Sequence, residues 1–339
     1  MDIREALQRI SEGESLSSEE MYGLLERIVS GEATDAQIGA FIMGTKMKGE
    51  TVDEIVGAAK FFRERATKVP VENPDEIVDT CGTGGDRSGT FNVSTVTAFV
   101  VAGAGVKVAK HGNRSVSSKC GSADFLERVG ARIDLPAEKV GRMIEEIGIG
   151  FMFAPLFHPA MRRVIGPRRE VGVRSIFNLV GPLSNPAGAR RQLLGVFSDS
   201  LVETLVRVLP RIGVKRAFVV HGKDGIDEVS ISSPTLVGEL KGEEIRVYEL
   251  SPEDFGLRRS EIGNVCVENP EESVRMGLSV LEGEEGPPRD MVLMNSALAI
   301  VASGKTDDLK TALDMAKESI DSGRAKRKLE EFVEVSNKI

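Results

Sequence analysis

The sequence contains no tryptophan and only two tyrosines among its 339 residues. Proteins that stack nucleic-acid bases need an aromatic platform that this composition does not supply. Positive charge is also limited, because 44 Lys and Arg residues face 52 Asp and Glu residues, a net charge of −8. Since general nucleic-acid binders carry a basic face, the composition argues against nucleic acid as a partner.

Cysteine is scarce as well, with three residues at positions 81, 120 and 266. The odd number and the absence of a C-x-x-C pair argue against a disulfide framework and a structural zinc site. The longest apolar runs, near residues 96–106 and 291–302, fall short of the roughly 18 residues that a membrane span needs. The opening residues Met1-Asp2-Ile3-Arg4 start no apolar targeting segment. We therefore expect a cytoplasmic protein with reduced thiols and no membrane partner.

The first seventy residues contain only helical patterns. Three times, a hydroxyl residue precedes an acid or amide by three positions, with apolar residues at helical spacing behind it, which is the capping box of a helix start. The pairs are Ser17 with Glu20, Thr34 with Gln37, and Thr51 with Glu54. Prolines at positions 70 and 74 end this pattern. We therefore predict a small all-helical domain over residues 1–70 and a large domain over residues 71–339.

The large domain alternates short β-branched runs with longer helical patterns. Strands are predicted near residues 77–78, 106–109, 218–220 and 291–293, and helices over 95–103, 136–147 and 201–212. Such alternation predicts an α/β domain with a mostly parallel central sheet flanked by helices. In these sheets ligands bind beyond the carboxyl ends of the strands, so the residues after each apolar run form the candidate site.

Glycine is abundant, with 36 residues, and its most informative cluster is Gly82-Thr83-Gly84-Gly85-Asp86. Thr90 and Asn92-Val93-Ser94-Thr95 then open a helix. Glycines let backbone N–H groups approach a phosphate, and a helix N-terminus favours an anion. The dinucleotide fingerprint does not fit, because its sixth position is Arg87, and a P-loop ending at Gly304 fails because residue 299 is alanine. An ordinary tight turn with a helix cap stays open as the alternative.

A second cluster follows the predicted strand at 106–109 and is basic. Residues 107–119 hold Lys or Arg at positions 107, 110, 114 and 119 and no acid, which favours an anion. Glycine, asparagine and serines between them supply short donors for phosphate or ribose oxygens, and Ser122 follows near the next helix start. A solvated basic loop is the alternative, and a histidine such as His111 is more often structural than catalytic.

A third cluster is rich in arginine. Residues 158–191 contain seven arginines, at positions 162, 163, 168, 169, 174, 190 and 191, against the single acid Glu170. Arginine pairs bidentately with carboxylate or phosphate. Seven cannot all bind a ligand, so we expect most of them on the surface or in ion pairs with the helical domain, on which part of 162–190 packs. The run Gly181–Pro186 then forms a rigid turn with two prolines.

The fourth cluster is the acid pair Asp227-Glu228, placed after the predicted strand at 218–220 and beside Gly225. Mg²⁺ prefers a few carboxylates together with substrate phosphates, so the pair suits one or two such ions. Acidic pairs are common in this chain. Glu253-Asp254 and Glu284-Glu285 are examples without a strand or glycine context. The four clusters together favour transfer chemistry on a phosphorylated, metal-bound substrate, with a second anionic substrate.

In combination, several runs resemble one family. They are GTGGD followed by NVST, KHGNRSVSSKCGSAD, FAPLFHPAM, RREVGVRSIFNLVGPLSNP and HGKDGIDEVS. The chain is similar over essentially its whole length to the anthranilate phosphoribosyltransferase family of tryptophan biosynthesis. The resemblance implies transfer of the phosphoribosyl group of 5-phosphoribosyl 1-diphosphate to the amino group of anthranilate. It also implies a small helical domain against a large α/β domain, and a homodimer formed through the helices.

The resemblance assigns roles residue by residue. The phosphoribosyl diphosphate would be held by Gly82, Gly85, Asp86, Thr90, Asn92, Val93, Ser94, Thr95, Lys110, His111, Gly112, Asn113, Arg114, Ser115, Val116, Ser117, Ser118 and Ser122. Two Mg²⁺ ions would bind per active site, one at Ser94 and Glu228 and the other at Asp227 and Glu228. Anthranilate would contact Gly82, Asn113 and Arg168, with His111 and Pro182 along its path.

The expected reaction is attack of the anthranilate nitrogen on the anomeric carbon, opposite the leaving diphosphate, and no residue is assigned as general base. A nucleoside phosphorylase, which shares the fold, is the first alternative. Arg168 and the Gly82–Asp86 turn favour an aromatic acid and a diphosphate over it. A nucleic-acid-binding relative without activity is the second, and the net charge and the acid pair argue against it.

Overall fold

A computed structural model describes residues 1–86, 88–115 and 119–339 of the chain. Its first part is a bundle of four helices, α1 Ile3–Ser11, α2 Ser18–Val29, α3 Asp35–Lys48 and α4 Val52–Arg65. Each begins with a reciprocal capping box. The three predicted boxes are confirmed at Ser17, Thr34 and Thr51, and a fourth joins Asp2 to Glu5. Local side-chain chemistry therefore sets where these helices start.

The rest of the chain is built around one sheet of seven strands. They are β1 Ile77–Gly82, β2 Lys107–Gly112, β3 Ile149–Phe153, β4 Arg191–Gly195, β5 Arg216–Gly222, β6 Thr235–Lys241 and β7 Glu244–Leu250. The order is β3-β2-β1-β4-β5-β6-β7. The first five are parallel, and β6 and β7 add an antiparallel hairpin. The predicted fold class, a helical domain plus a mostly parallel α/β domain, is confirmed.

Helices cover both faces of this sheet. They are α5 Val93–Gly103, α6 Ser122–Arg128, α7 Ala137–Ile147, α8 Ala154–Phe157, α9 Arg162–Val171, α10 Ile176–Val180, α11 Ser200–Arg211, α12 Pro270–Leu281, α13 Pro287–Ser303, α14 Leu309–Asp321 and α15 Arg324–Lys338. The predicted helices near 95–103, 136–147 and 201–212 are thereby confirmed as α5, α7 and α11. No helix in the described ranges combines the length and apolar character needed to cross a membrane.

The sheet separates two hydrophobic cores. Leu193 packs into the core with α5 and α13, whereas its neighbour Leu194 packs into the other core with α11 and the helical bundle. Val219 and Val220 divide in the same way. Successive strand residues point to opposite faces, so this division follows from the strand geometry. The helical bundle thus shares its core with one face of the sheet.

The chain returns to the helical bundle after β3. Helices α9 and α10 pack on α3 and α4, and Phe177 lies 6.1 Å between ring centroids from both Phe41 and Phe62. Arg163 donates to Asp35 at 2.5 Å and to the Ala33 carbonyl at 2.6 Å. This return brings part of the arginine-rich cluster against the bundle.

One predicted strand is wrong. Residues 291–293 lie inside α13, and every residue from Met291 to Ala302 in that helix is buried. A helix that is apolar on all sides shows no 3.6-residue period, and its β-branched residues then resemble a short buried strand. The structure also contains β3, β4 and the β6–β7 hairpin, which the sequence pattern did not single out.

Candidate active site

The candidate site lies at the edge of the sheet where the parallel strands end. Gly82 at the end of β1 is in register with Gly195 at the end of β4, and Gly112 ends the adjacent strand β2. The segments after β1, β2 and β5 are the first, second and fourth sequence clusters. Parallel register therefore brings together residues that are far apart in the chain, as expected for ligand sites in such sheets.

The glycine-rich turn after β1 has a backbone that side chains rarely permit. Gly84 and Gly85 have φ angles of 61° and 83°. This geometry points the Gly84 N–H at Asp227, whose Oδ2 accepts its hydrogen bond at 2.8 Å. Asp86 accepts a hydrogen bond from Ser88 Oγ at 2.6 Å. The turn is thus fixed to the acid pair and presents main-chain N–H groups beside it.

The N-terminus of α5 opens next to this turn. Asn92 caps the helix by accepting from the Thr95 N–H at 3.1 Å, and its amide donates to the Cys120 carbonyl at 3.1 Å. Val93 is buried and Thr90 forms an isolated bridge with Cys266. The Val93 N–H donates to the Phe91 carbonyl at 2.8 Å and the Ser94 N–H donates to Glu228. The helix start therefore offers an anion its dipole and the hydroxyls of Ser94 and Thr95 rather than free N–H groups.

Lys110 is a buried lysine at the centre of the site, with 2% of its surface exposed. Its ammonium donates to the Thr80 carbonyl and to Ser94 Oγ, the latter at 3.2 Å. Burial lowers the pKa of Lys110, and the nearby Asp79 carboxylate opposes that shift. Lys110 therefore joins β2 to β1 and to the start of α5.

The acid pair lies opposite Lys110 and is crowded by a third carboxylate. Burial, and next the charge of Asp86, raise the pKa of Asp227 to about 7. Burial, and next the charge of Asp227, raise the pKa of Glu228, although the Ser94 N–H donates to its carboxylate. Carboxylates that repel one another in this way are stabilised by a cation. The donor set, carboxylates plus the Ser94 hydroxyl, consists of the oxygen ligands that Mg²⁺ prefers.

This group is not a complete metal cage. Among residues 1–86, 88–115 and 119–339, no three His, Cys, Asp or Glu side chains are arranged as a ready site for a metal ion. Mg²⁺ usually keeps several waters or substrate phosphates and takes only one or two carboxylates from the protein. The residues present therefore fit Mg²⁺ that arrives with a phosphorylated ligand.

A pair of buried histidines forms the floor on the other side. The Nε2 atoms of His111 and His158 lie 3.1 Å apart, and a ring nitrogen of His111 is hydrogen-bonded to the Gly181 carbonyl. Burial lowers the pKa of His158 to about 4 and that of His111 well below its usual value. Both rings are therefore neutral. Because His111 Nε2 faces His158, the other ring nitrogen, Nδ1, is assigned as the donor to Gly181. In that tautomer His111 Nε2 accepts a hydrogen bond from the ring N–H of His158.

Asp79 connects this floor to the turn at 181–186. The Asp79 carboxylate accepts from the His111 backbone N–H at 3.1 Å and from the Asn185 amide at 2.8 Å. Burial raises its pKa to about 6. The Pro182 carbonyl in the same turn accepts from the Gln192 amide on β4 at 2.8 Å. Hydrogen bonds to β1 and β4 thus hold this turn, and Pro182 with it, beside His111.

Two of the seven arginines differ from the rest. Arg168 on α9 is half-buried, burial lowers the pKa of its guanidinium, and that guanidinium makes no hydrogen bond or ion pair within the described part of the chain. Arg174 donates to the Gly85 carbonyl and stacks 4.5 Å from the centroid of Phe197. Arg174 therefore attaches the segment after α9 to the glycine turn, and Arg168 remains available for an anion.

Several other basic residues of the predicted clusters pair with acids. Lys107 pairs with Glu145, Arg114 donates to Glu127 at 2.7 Å, and Arg190 pairs with Asp75. Lys107 and Arg114 are thus paired with acids, and within residues 107–115 Lys110 is the basic side chain without an ion-pair partner among the described residues.

The remaining predicted residues have varied positions. Asn113 is exposed, the Ser115 N–H donates to Asp124 at 2.9 Å, and Ser122 begins α6. Gly112 approaches Phe151 and Ser122 so closely that a Cβ there would lie 2.8 Å from the Phe151 ring. Val116, Ser117 and Ser118 lie outside the described residues.

Four residues of the site were not selected from the sequence, namely Asp79, His158, Arg174 and Gly195. Asp79 and Gly195 lie within strands, and the sequence analysis looked for site residues after the strands rather than inside them. His158 is one of only three histidines in the chain and belongs to the run FAPLFHPAM that carries the resemblance, and these two signals could have selected it.

Known protein families match the two parts of this chain separately. The helical bundle domain of the glycosyl transferase family matches residues 4–66, and its a/b domain matches residues 74–326. The anthranilate phosphoribosyltransferase of Aquifex aeolicus (strain VF5) is 63% identical over 337 residues, which cover 99% of each chain.

Solved structures agree over nearly the whole length. Anthranilate phosphoribosyltransferase from Thermus thermophilus has a TM-score of 0.92 at 40% identity and covers 98% of this chain and 99% of its own. The Saccharomyces cerevisiae enzyme in complex with PRPP and Mg has a TM-score of 0.89 at 28% identity, covering 99% and 98%. A second structure of the yeast enzyme, in complex with 4-fluoroanthranilate, has a TM-score of 0.88 at 27% identity with the same coverage.

Proposed function

The chain belongs to the glycosyl transferase family of the anthranilate phosphoribosyltransferases, and on this premise we propose how its residues carry out that reaction. The enzyme transfers the phosphoribosyl group of 5-phospho-α-D-ribose 1-diphosphate to the amino nitrogen of anthranilate in tryptophan biosynthesis. The products are N-(5-phosphoribosyl)anthranilate and diphosphate. The observation that carries the residue assignment is the convergence of Gly84, Lys110 and the Asp227-Glu228 pair at one edge of the sheet.

The diphosphate and ribose are assigned to the turn after β1, the start of α5 and Lys110. Main-chain N–H groups of the Gly82–Asp86 turn and the hydroxyls of Ser94 and Thr95 at the helix start act as donors there, and the dipole of α5 favours the anion. The charge of buried Lys110 lies beside Ser94 without a carboxylate of its own in hydrogen-bond contact. The Arg114 guanidinium is paired with Glu127 and its N–H donates to Asn113 Oδ1 at 2.7 Å, so this residue supports the loop beside the site.

Magnesium is assigned to the carboxylates. Ser94 and Glu228 would hold one ion and Asp227 with Glu228 the second, because the two carboxylates repel one another and a cation relieves that repulsion. The ions, when bound, neutralise the departing diphosphate. The chain's own contribution is to hold Asp227 on the Gly84 N–H and Glu228 on the Ser94 N–H, which fixes the direction of both carboxylates.

Anthranilate is assigned to the opposite side. Its carboxylate would pair with the free guanidinium of Arg168, and Asn113 would contact it from the end of β2. His111, Pro182 and Gly82 line its path. The neutral His111 presents no charge to an aromatic ring, and its Nε2 is already occupied by His158. No residue is assigned as general base, and the nitrogen attacks by position opposite the leaving diphosphate.

Water exclusion and assembly complete the proposal. The helical domain, taken as residues 1–70 with the α9–α10 segment packed on it, closes over the sheet edge and limits hydrolysis of the activated sugar. Residues 71–339 form the large phosphoribosyl-diphosphate-binding domain. We assign a homodimer through the helical domain and a cytoplasmic location.

The test is an assay with purified protein, anthranilate, the activated sugar and Mg²⁺, following the loss of anthranilate fluorescence. Loss of fluorescence that depends on all three components supports the proposal. Unchanged fluorescence together with phosphorolysis of uridine or thymidine would instead establish the nucleoside phosphorylase alternative.

The metal assignment has its own test. Replacing Asp227 and Glu228 by Ala should abolish Mg²⁺-dependent turnover, a loss of about 10²-fold or more, because the charge stabilisation of the leaving group is removed. Replacement of the partly exposed pair Glu284 and Glu285 by Ala is the matched control and should leave the rate unchanged. A double variant at 227 and 228 that keeps its Mg²⁺ dependence would refute the assignment.

A further inference from the structure

Asn295 is a fully buried amide in the middle of α13, a helix whose residues from Met291 to Ala302 are all buried. A buried polar group destabilises a protein unless its hydrogen bonds are satisfied. Its neighbour Ser296 is equally buried, and its hydroxyl has no partner in the described part of the chain. Burial on α13 therefore does not by itself provide a polar side chain with hydrogen-bond partners, and those of Asn295 need their own explanation.

The Asn295 amide binds both backbone groups of one residue. Its Oδ1 accepts from the Val229 N–H at 3.1 Å, and its Nδ2 donates to the Val229 carbonyl at 3.3 Å. Nδ2 also donates to the Met291 carbonyl one turn earlier in α13, at 2.9 Å. The side chain thus pairs with the loop as a neighbouring strand would, while the third bond fixes its own rotamer.

Val229 directly follows Glu228, so this pairing determines where the acid pair lies. The next residue is fixed too, because the Ser230 N–H donates to Thr235 Oγ1 at 2.9 Å. On the preceding side, the Asp227 carbonyl lies against β4, where a Cβ on Gly195 would be 1.6 Å from it. The loop is therefore fixed by hydrogen bonds from α13 and by close packing against β4.

We propose that Asn295 is a positioning residue for the Asp227-Glu228 pair: its amide, bonded to both backbone groups of Val229, holds the acid pair at the sheet edge. This inference rests on the proposed function in that the pair is taken to receive Mg²⁺ with the sugar diphosphate. Removing the amide leaves the carboxylates in the chain and changes their placement. Residues that orient metal ligands in this way typically change metal affinity or activity by 10- to 100-fold when replaced.

The test compares Asn295→Leu, which keeps the side-chain volume, with Ser296→Ala as the matched control on the same helix. The first readout is amide hydrogen exchange of residues 226–230 without ligand. The second is calorimetric binding of the sugar diphosphate at saturating Mg²⁺. We expect Asn295→Leu to speed exchange at Val229 by about 10-fold or more and to weaken sugar-diphosphate binding by about 10-fold. Ser296→Ala should change neither.

Two further variants separate positioning from loss of stability. Asn295→Asp keeps an acceptor for the Val229 N–H and loses the two donors, so an intermediate effect is expected even if the leucine variant fails to fold. Leu298→Ala removes apolar packing from α13 and keeps the Asn295 amide, so at an equal loss of melting temperature it should change exchange at 226–230 and binding much less than the Asn295 variants do.

The proposal is overturned if Asn295→Leu and Asn295→Asp match Ser296→Ala in both readouts, or if Leu298→Ala reproduces their effect at equal loss of melting temperature. A wild-type protein that binds no sugar diphosphate, but whose loop exchanges faster in Asn295→Leu, would refute the proposed function and support the positioning role of Asn295.

Discussion

The two sides of the candidate site are built from different parts of the fold. The side assigned to diphosphate and metal consists of the ends of β1, β2 and β5 with the start of α5, all belonging to one sheet and its covering helix. The side assigned to anthranilate takes Arg168 from α9 and Pro182 from the turn after α10, which share a core with the helical bundle.

Their electrostatics differ as well. On the first side, carboxylates crowd one another and face the buried Lys110, so several charges are held close together. On the second side, the two histidines are neutral, and the available charge is the Arg168 guanidinium, which has no partner in residues 1–86, 88–115 and 119–339. A charged substrate with a metal suits the first side, and a flat aromatic acid with one carboxylate suits the second.

The two sides of the site should therefore respond to different kinds of structural change. Strand register fixes the first side closely, so small displacements there should affect the chemical step. The second side depends on packing between the bundle and the sheet, so changes there should appear mainly in anthranilate binding. Substitutions on each side can therefore separate the two.

The largest effect is expected for Gly195→Ala. A Cβ at this position would lie 1.6 Å from the Asp227 carbonyl, so the acid pair must move by about an ångström or more. Misplacement of that size costs about 10²-fold in rate. We expect kcat/KM to fall by about that factor or more, measured in the fluorescence assay with thermal melting to confirm folding.

Gly23→Ala is the matched control, because Gly23 lies on α2 with no atom within 4 Å of an added Cβ. It should leave the rate unchanged. If Gly195→Ala retained wild-type kcat/KM, the idea that strand register fixes the acid pair would be wrong.

The histidine pair predicts a pH dependence of stability. The pKa of His158 is lowered to about 4 in the folded protein, whereas an unfolded histidine titrates near 6.5. Between pH 6.5 and pH 4, His158 is protonated in the unfolded state but not in the folded state. The free energy of unfolding therefore decreases over this pH range. His111, whose pKa is also lowered, destabilises the folded state in the same direction as the pH falls. The contribution of His158 amounts to about 3 kcal/mol. Denaturant unfolding of wild type and His158→Asn between pH 7 and pH 4 measures it.

The comparison with the variant is needed because Asp79 acts in the opposite direction. Its pKa is raised to about 6, so its unfavourable contribution is present above that pH and is relieved as the pH falls toward 4. Since Asp79 is present in both proteins, its contribution cancels in the difference between them. A difference that stays constant from pH 7 to pH 4 would show that His158 titrates normally.

A smaller effect is expected for Arg168→Ala. Loss of a charge-assisted hydrogen bond costs about 1.5–3 kcal/mol, which is roughly 10- to 150-fold in affinity. We expect KM for anthranilate to rise by this factor while KM for the sugar diphosphate changes by less than about 3-fold. Steady-state kinetics with each substrate varied in turn gives both values.

The neighbouring Arg169 is exposed, and Arg169→Ala is the control that should leave both KM values unchanged. Equal rises in the two KM values for Arg168→Ala would show that the two sides of the site are not separate.

The sequence alone predicted much of this fold and part of the site. The capping boxes and the alternation of strands and helices depend on neighbouring residues, and they were correct except for the strand near 291–293. The family resemblance drawn from the motifs is confirmed by the comparisons. Parallel strands also made it possible to predict that Gly82–Asp86 and Asp227-Glu228 meet, since both follow strands.

What could not be predicted depends on partners far apart in the chain. Lys107 and Arg114 looked available for an anion, but Glu145 and Glu127 neutralise them. Asp79 and Asn185 are 106 positions apart, and their hydrogen bond exists only because β1 and the turn after α10 meet. Local pattern shows which residues can carry chemistry, and tertiary contacts decide which of them are free.

The smallest effect is expected for Asp35→Asn, which removes one partner of an arginine in the third cluster. Arg163 and Asp35 form a 2.5 Å ion pair between α9 and α3, with 32% and 63% of their side chains exposed. Exposed pairs contribute about 0–1 kcal/mol, so Asp35→Asn should lower the unfolding free energy by no more than about 1 kcal/mol. Both KM values should stay unchanged, because apolar packing around Phe177, rather than this pair, attaches α9 and α10 to the bundle. A larger loss of stability, or a rise in KM for anthranilate, would mean that surface charge positions Arg168.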